Sequence, residues 1–251
     1  MDFEEYLRRI GAERPAHADL ASLRELQRRH LESVPFENLG RYLGEEIDLT
    51  EAGVLEKIVR QRRGGLCYEL NGAFALLLED VGFDVHLLAG RVTRGAGEWG
   101  PPFDHLALRV DLDEPWLVDV GFGRFSLRPL RLGTAEPQPD PLGSFSVRPA
   151  PAGDLDLLLD GNVVYRLEPA PRELADFTAT ARFHANSPDS PFAHGPTCSL
   201  WRPGGRVTIA GHRLIETTDG DRAESELEDD QAILEAYREH FGYRLQRVPR
   251  A

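Results

Sequence analysis

The chain has 251 residues, 41% of them hydrophobic and 28% charged, the composition of ordinary globular proteins rather than of disordered or fibrous ones. Its formal charge of −13 argues against non-specific nucleic-acid binding, which needs a cationic face to displace counterions from phosphates. No apolar run approaches the roughly 20 residues that cross a bilayer, and the acidic start MDFEEYLRRIGAE lacks the features of a signal peptide, so the expected compartment is the cytoplasm.

The first third predicts helices. Phe3, Tyr6, Leu7 and Ile10 recur at helical spacing, with acids early and arginines late, as the helix dipole favours. ADLASLRELQRRHLESV predicts a second helix, capped by Asp19 and stopped before Pro35. VPFENLGRYLG breaks the pattern, and TEAGVLEKIVRQRR resumes it with Thr50 as the cap. Arg60, Arg62 and Arg63 read as the solvated end of that third helix. Cys67 opens a fourth, in which Leu66, Leu70, Phe74, Leu77, Leu78 and Val81 form one apolar stripe.

From about Asp84 the period falls to two. DVHLLAGRV, DHLALRVDL, PWLVDVGFG, SFSVRPA, DLDLLLDG and NVVYRLEP read as short strands bounded by turn residues, which predicts an antiparallel sheet or small barrel. AEPQPDPLG reads as a surface loop. CSLWRPGG, RVTIAG and HRLIETTDG predict three more strands, and DDQAILEAYREHFG a last helix capped by Asp229 or Asp230 and ended at Gly242.

The chemistry centres on RGGLCYELN. An anion at a helix N-terminus is stabilised by unpaired N–H groups and by the dipole, so Cys67 has the setting of a thiolate nucleophile. Gly64 and Gly65 allow a sharp turn and leave the sulfur approachable. The plainer alternative is a small apolar residue on a buried stripe. A nucleophilic thiol needs a histidine and an orienting carboxylate. His105 begins an alternating strand, and Asp119 lies among apolar neighbours in the next, where an unpaired carboxylate is costly. The two strands are expected to pair, with His105 and Asp119 side by side across the ladder. Taken singly, His105 could be a capping histidine and Asp119 a strand-end carboxylate; together with Cys67 they make a catalytic set. Cys198 has no partner in sight and reads as structural. The histidines show no metal-ligand spacing, so no metal is expected.

RGGLCYELN, VPFENL, DHLAL, VDVGFG and SPDSPF together resemble the arylamine N-acetyltransferases, and the similarity runs through nearly the whole chain. The resemblance implies an α+β fold: a helical bundle over residues 1–83, a central antiparallel β-barrel over 84–185 and an α/β lid over 186–251, with a cysteine-proteinase-like catalytic core. It implies a triad of Cys67, His105 and Asp119, with acetyl-CoA as acyl donor and an aryl amine or hydrazine as acceptor. It brings the turn Gly121-Phe122-Gly123 close to CoA and sets Phe36 in the cleft against the acceptor. Asn71 is given a supporting role, and Ser187–Pro191 reads as an ordered turn joining barrel and lid. Two alternatives use the same triad: a macrolactam-forming amide synthase of the same family, and a thiol hydrolase of papain or transglutaminase type. A non-catalytic binding module is disfavoured because all three triad positions are filled.

Overall fold

A computed structural model describes residues 3–95 and 97–250; Met1 and Asp2, where the first expected helix begins, and residue 251, where the last expected segment ends, lie outside the described residues, as does Ala96. Helix α1 (Phe3–Ile10) buries Tyr6, Leu7 and Ile10. Helix α2 (Leu20–Ser33) starts as its sequence predicts: Asp19 accepts from Ser22 N at 2.8 Å while Ser22 Oγ accepts from Asp19 N at 3.0 Å. The two-residue strand β1 (Phe36–Glu37) and helix α3 (Leu39–Leu43) follow.

The expected third helix is two pieces. Thr50 caps α4 (Glu51–Leu55), which then widens into a π turn over Glu56–Arg60, where Gln61 N reaches Glu56 O at 2.9 Å. Helix α5 (Cys67–Val81) is buried on nearly every side, as a helix through the middle of a core must be.

The barrel comprises β2 (Asp84–Gly95), β3 (Glu98–Trp99), β4 (His105–Asp111), β5 (Pro115–Val118), β6 (Leu130–Arg131), β7 (Gln138–Asp140), β8 (Gly143–Pro149), β9 (Leu155–Leu159) and β10 (Asn162–Arg172). The order is β6-β5-β4-β2-β10-β9-β8-β7, with β3 on β2, every pairing antiparallel, in a nearly closed sheet. Along β4, Leu106, Leu108 and Val110 face the helices while Ala107 faces the barrel interior with Leu117, Phe145 and Tyr165. β7 falls inside AEPQPDPLG, so part of that expected loop is a barrel strand.

Helix α6 (Thr178–Asn186) packs Ala181 into the helical core. The last segment forms a second antiparallel sheet, in which β1 joins β11 (Thr197–Arg202), β12 (Gly205–Ala210), β13 (Arg213–Thr218) and β14 (Asp221–Glu226). Helix α7 (Asp230–Phe241), capped by Asp229 and closed by Gly242, covers it through Ile233, Tyr237 and Phe241, against Cys198, Val207 and Ile209. β14 was not expected: DRAESE is exposed throughout and has no apolar alternation to betray an edge strand. No helix among the described residues is long and apolar enough to cross a membrane.

Candidate active site

Cys67 is the first residue of α5, preceded by Leu66 in extended conformation. A side chain at Gly64 would run into the Pro35 carbonyl, and one at Gly65 would lie 2.6 Å from Glu69 Oε2, so the approach turn admits only glycine. Gly64 N donates to Tyr243 Oη at 2.6 Å, and Leu66 N to Glu69 Oε2 at 2.9 Å, while Lys57 pairs with Glu69 at 2.7 Å. The turn that presents the sulfur is therefore fixed from three sides.

His105 opens β4, opposite Gly90 of β2. The β4–β5 ladder ends at the Leu108–Val118 pair, so Asp119 follows the strand rather than lying within it, and it is not directly across from His105. The two side chains still share a face and meet diagonally: His105 Nε2 lies 2.6 Å from Asp119 Oδ2. The remaining ring nitrogen is the one left to face Cys67, whose sulfur helps to hold the charge of the ring. Burial opposes a charge on the His105 ring, but Asp119 and Cys67 outweigh it, and the imidazole is raised to about 10.

Asp119 is fully buried and its other partners are all donors. Asn71 Nδ2 and Gly121 N each donate to Oδ1 at 2.9 Å, and Tyr165 Oη donates to Oδ2 at 3.1 Å. Asn71 also donates to Leu106 O at 2.7 Å and accepts from Val120 N at 2.9 Å. Its side chain thus ties helix α5 to both β4 and the segment after β5. A Cβ on Gly121 would stand 2.6 Å from Cys67 Cα, which is why the chain after Asp119 can pass so close to the cysteine.

These groups face a cavity of about 270 Å³ bounded by Cys67, His105, Phe36, Phe122, Phe192 and Arg94. Phe122 packs on His105 with ring centres 5.2 Å apart, and Phe36 on Phe192 at 5.9 Å. Phe36 is fixed by the pairing of β1 with Ser199 and Cys198 of β11. Gly123 takes a φ of 82° and brings its Cα side against the Phe36 ring. Of the seven residues expected from the sequence, Cys67, His105, Phe36, Gly121 and Phe122 line this cavity, Asp119 reaches it through His105, and Gly123 lies against Phe36 beside it.

Three features were misread or missed. Arg63 is buried rather than solvated: its Nε donates to Glu37 at 2.9 Å, its Nη1 to Glu45 at 2.9 Å, and its guanidinium lies 5.3 Å over the Tyr243 ring. Burial works against its charge, but Glu37 and Glu45 overcome it and hold the group protonated. The reach of Asn71 to two separate segments, β4 and the stretch after β5, was also not read. Finally, Asp104, one residue before His105, holds His184 of α6 at 2.9 Å, and His184 in turn meets Ser190 Oγ at 3.1 Å, all three buried beside the cavity. The aspartate in DHLAL was the available signal. Cys198 is fully buried, its thiol pushed up first by burial and then by Glu37. Away from the cavity, Asp84, His86 and Asp111 bring ligand-type atoms within 4.8 Å of one another, in a surface cluster ion-paired with Arg109.

The profile of the N-acetyltransferase family matches residues 19–249. An arylamine N-acetyltransferase of Escherichia coli (strain K12) is 33% identical over 247 residues, covering 94% of this chain and 87% of the relative. The solved arylamine N-acetyltransferase of Salmonella typhimurium superposes with a TM-score of 0.89 at 29% identity, over 98% of this chain and 92% of that one. A Mycobacterium marinum arylamine N-acetyltransferase, solved in complex with CoA, has a TM-score of 0.87 at 30% identity, over 96% and 92%.

Proposed function

Because the chain belongs to the arylamine N-acetyltransferase family, and is an acetyl-CoA-dependent acetyltransferase, we propose that it works by a ping-pong mechanism through an acetyl-Cys67 intermediate, with His105 and Asp119 completing the triad. The observation that carries this reading is His105, which shares a cavity with Cys67, lies 2.6 Å from Asp119 and is raised to about 10 by the aspartate and the sulfur.

A charged imidazole at neutral pH holds the sulfur as a thiolate–imidazolium pair, which Asp119 orients. The thiolate attacks the carbonyl carbon of acetyl-CoA. The tetrahedral intermediate collapses with cleavage of the carbon–sulfur bond to CoA, and His105 returns its proton to the departing sulfur. The aryl amine or hydrazine then attacks acetyl-Cys67, gives a proton to His105, and leaves as the amide while the Cys67 thiolate is regenerated. Thioester exchange is nearly balanced, and amide formation drives turnover. The first N–H groups of α5 have no intrahelical acceptor, so they are suited to stabilise the oxyanion.

The backbone of Gly121-Phe122-Gly123 takes CoA in this reading, and Phe36 takes the ring of the acceptor; the place of Gly121, Phe122 and Phe36 on the cavity wall supports both roles. Residues 1–83 supply the nucleophile, 84–185 the base and acid, and 186–251 the lid. Intact-mass spectrometry after mixing with acetyl-CoA tests the mechanism: Cys67 gains one acetyl group, CoA is released in equal amount, and added aniline removes the label. An unlabelled protein that still acetylates aniline would rule out the covalent route. Ring closure from a carrier-bound acyl chain, with no turnover of simple anilines, would move the chain to the amide synthases.

A further inference from the structure

His184 of α6 takes no part in the acyl-transfer steps, yet it is only 1% exposed and both of its ring nitrogens are engaged. Nε2 lies 2.9 Å from Oδ1 of Asp104, and a carboxylate only accepts, so that nitrogen carries the proton. Phe192 N donates to Ser190 Oγ at 3.2 Å, which leaves the Ser190 hydroxyl proton for His184 Nδ1, 3.1 Å away. Three hydrogen bonds therefore run in one direction, from the Phe192 amide through Ser190 and His184 to the residue beside His105. Buried polar groups are costly unless each finds a partner, and linked in this way they hold one another rigid.

These bonds end on the wall that faces the sulfur. Phe192 lines the Cys67 cavity together with Phe36, and the two rings pack at 5.9 Å. The His184 ring meets Phe192 edge-on at 5.3 Å and stacks on Tyr68, the residue after Cys67, at 6.2 Å. His184 also borders a chamber of about 20 Å³ lined by Glu37, Lys57 and Glu69. Those charged side chains give an aromatic ring no apolar backing, so the imidazole is what stands between Phe192 and that space. The carbonyl of Phe192 is held independently, accepting from Tyr42 Oη at 2.7 Å and from Asn38 Nδ2 at 3.2 Å. Loss of His184 thus frees the Phe192 ring without releasing the turn that carries it.

We propose that His184 is a positioning residue for the acceptor half of the reaction: clamped between Asp104 and Ser190, it fixes the Phe192 ring, and with it the aromatic wall, shared with Phe36, that receives the ring of the aryl amine. This rests on the acceptor reading above. His184 acts through Phe192 rather than on the reacting atoms, so it governs which nucleophile is held against the acetyl group and how well. The donor depends less on this wall, because the acetyl group and the flexible chain behind it bring no ring to pack there.

In a ping-pong reaction kcat/KM for each substrate reports its own half-reaction, so the two halves are read apart. In His184→Ala, kcat/KM for aniline is expected to fall about five-fold or more, the worth of a well-placed aromatic contact. That for acetyl-CoA, and that for hydrazine, which has no ring, are nearly preserved. His184→Gln, whose amide can donate to Asp104 and accept from Ser190, recovers a large part of the loss. Ser190→Ala keeps the imidazole but breaks the line of bonds; it shows a smaller loss of the same kind and carries the comparison should His184→Ala fail to fold. Equal losses with aniline and hydrazine, or full activity of both Ala variants toward aniline, would overturn the assignment. Calorimetric titration with N,N-dimethylaniline, which keeps the ring but has no N–H to acetylate, separates this inference from the covalent mechanism. It is expected to bind His184→Ala about five-fold more weakly than the unaltered protein, even if Cys67 never carries an acetyl group. Equal affinity in the two proteins sinks the positioning role even if acetyl-Cys67 forms readily.

Discussion

Asn71 donates a 2.9 Å hydrogen bond to the carboxylate of Asp119 from one turn beyond Cys67, so the helix that bears the cysteine also grips the acid on the far side of the histidine. The same amide satisfies Leu106 O and Val120 N, which no other side chain among the described residues reaches. Asn71→Ala removes both of these bonds and frees Asp119 to shift. The acylation rate in single turnover is expected to fall about a hundred-fold, the cost of misplacing a catalytic group by an ångström or so. An acylation rate equal to that of the unaltered protein would show that the triad holds itself.

Asp119→Asn keeps a hydrogen-bonding side chain but removes the charge that outweighs the burial of His105. The His105 ring, raised to about 10, is expected to fall below the ordinary histidine value of about 6.5. At neutral pH the thiolate–imidazolium pair is then lost, and kcat/KM drops by about 10⁴. Proton-resonance titration of the ring in both proteins measures the first effect; a histidine that still titrates near 10 would mean that Cys67 alone sustains it.

Gly121→Ala places a methyl group 2.6 Å from Cys67 Cα and 2.8 Å from Asn71 Nδ2. Neither atom can yield without moving α5 or breaking the grip on Asp119. The expected cost is about 1–3 kcal/mol of stability, as for other overpacked cores, with acetyl-enzyme formation largely abolished. Urea unfolding and intact mass read the two effects separately.

Arg63→Met strands Glu37, which is wholly buried, without its countercharge. Breaking a buried pair from one side costs about 3–5 kcal/mol. The double variant with Glu37→Gln is expected to recover a large part of that loss. Additive losses in the double-mutant cycle would show that the pair contributes no coupling.

His30 is buried between Tyr6 and Phe74, and burial, followed by Arg9, lowers it to about 3. In the unfolded chain it titrates near 6.5. Between these values the unfolded state binds a proton that the folded state refuses, so stability is full above about 6.5 and declines as pH falls toward 3. His30→Gln, which cannot charge, is expected to flatten the denaturation midpoint over that range; an unaltered pH slope would assign the acid sensitivity elsewhere.

The parts that the sequence made legible are those in which one residue type meets one local requirement. Cys67 behind two glycines, Asp19 and Asp229 at helix starts, and the alternation of β4 each declare themselves within a few positions. What stayed hidden depends on distant partners. Arg63 looks like a solvated helix end until Glu37 and Tyr243, one on each side of it in sequence, fold over it. The link from Asp104 to His184 spans 80 positions and leaves no periodic trace. The π turn in the third helix arises from packing, since its sequence keeps an unbroken helical pattern. The register of β4 on β5 could not be read from turn residues alone, and it moved Asp119 from within a strand to just beyond its end.

The hydroxyl of Tyr243 holds the amide of Gly64, and β11 holds Phe36, so the last quarter of the polypeptide finishes the setting of a sulfur encoded within its first third. During synthesis the thiol leaves the ribosome some 180 residues before the tyrosine that secures its turn. The half-made polypeptide carries Cys67 without its completed mount or its cleft wall, and under the proposed mechanism its reactivity is deferred until translation is nearly over.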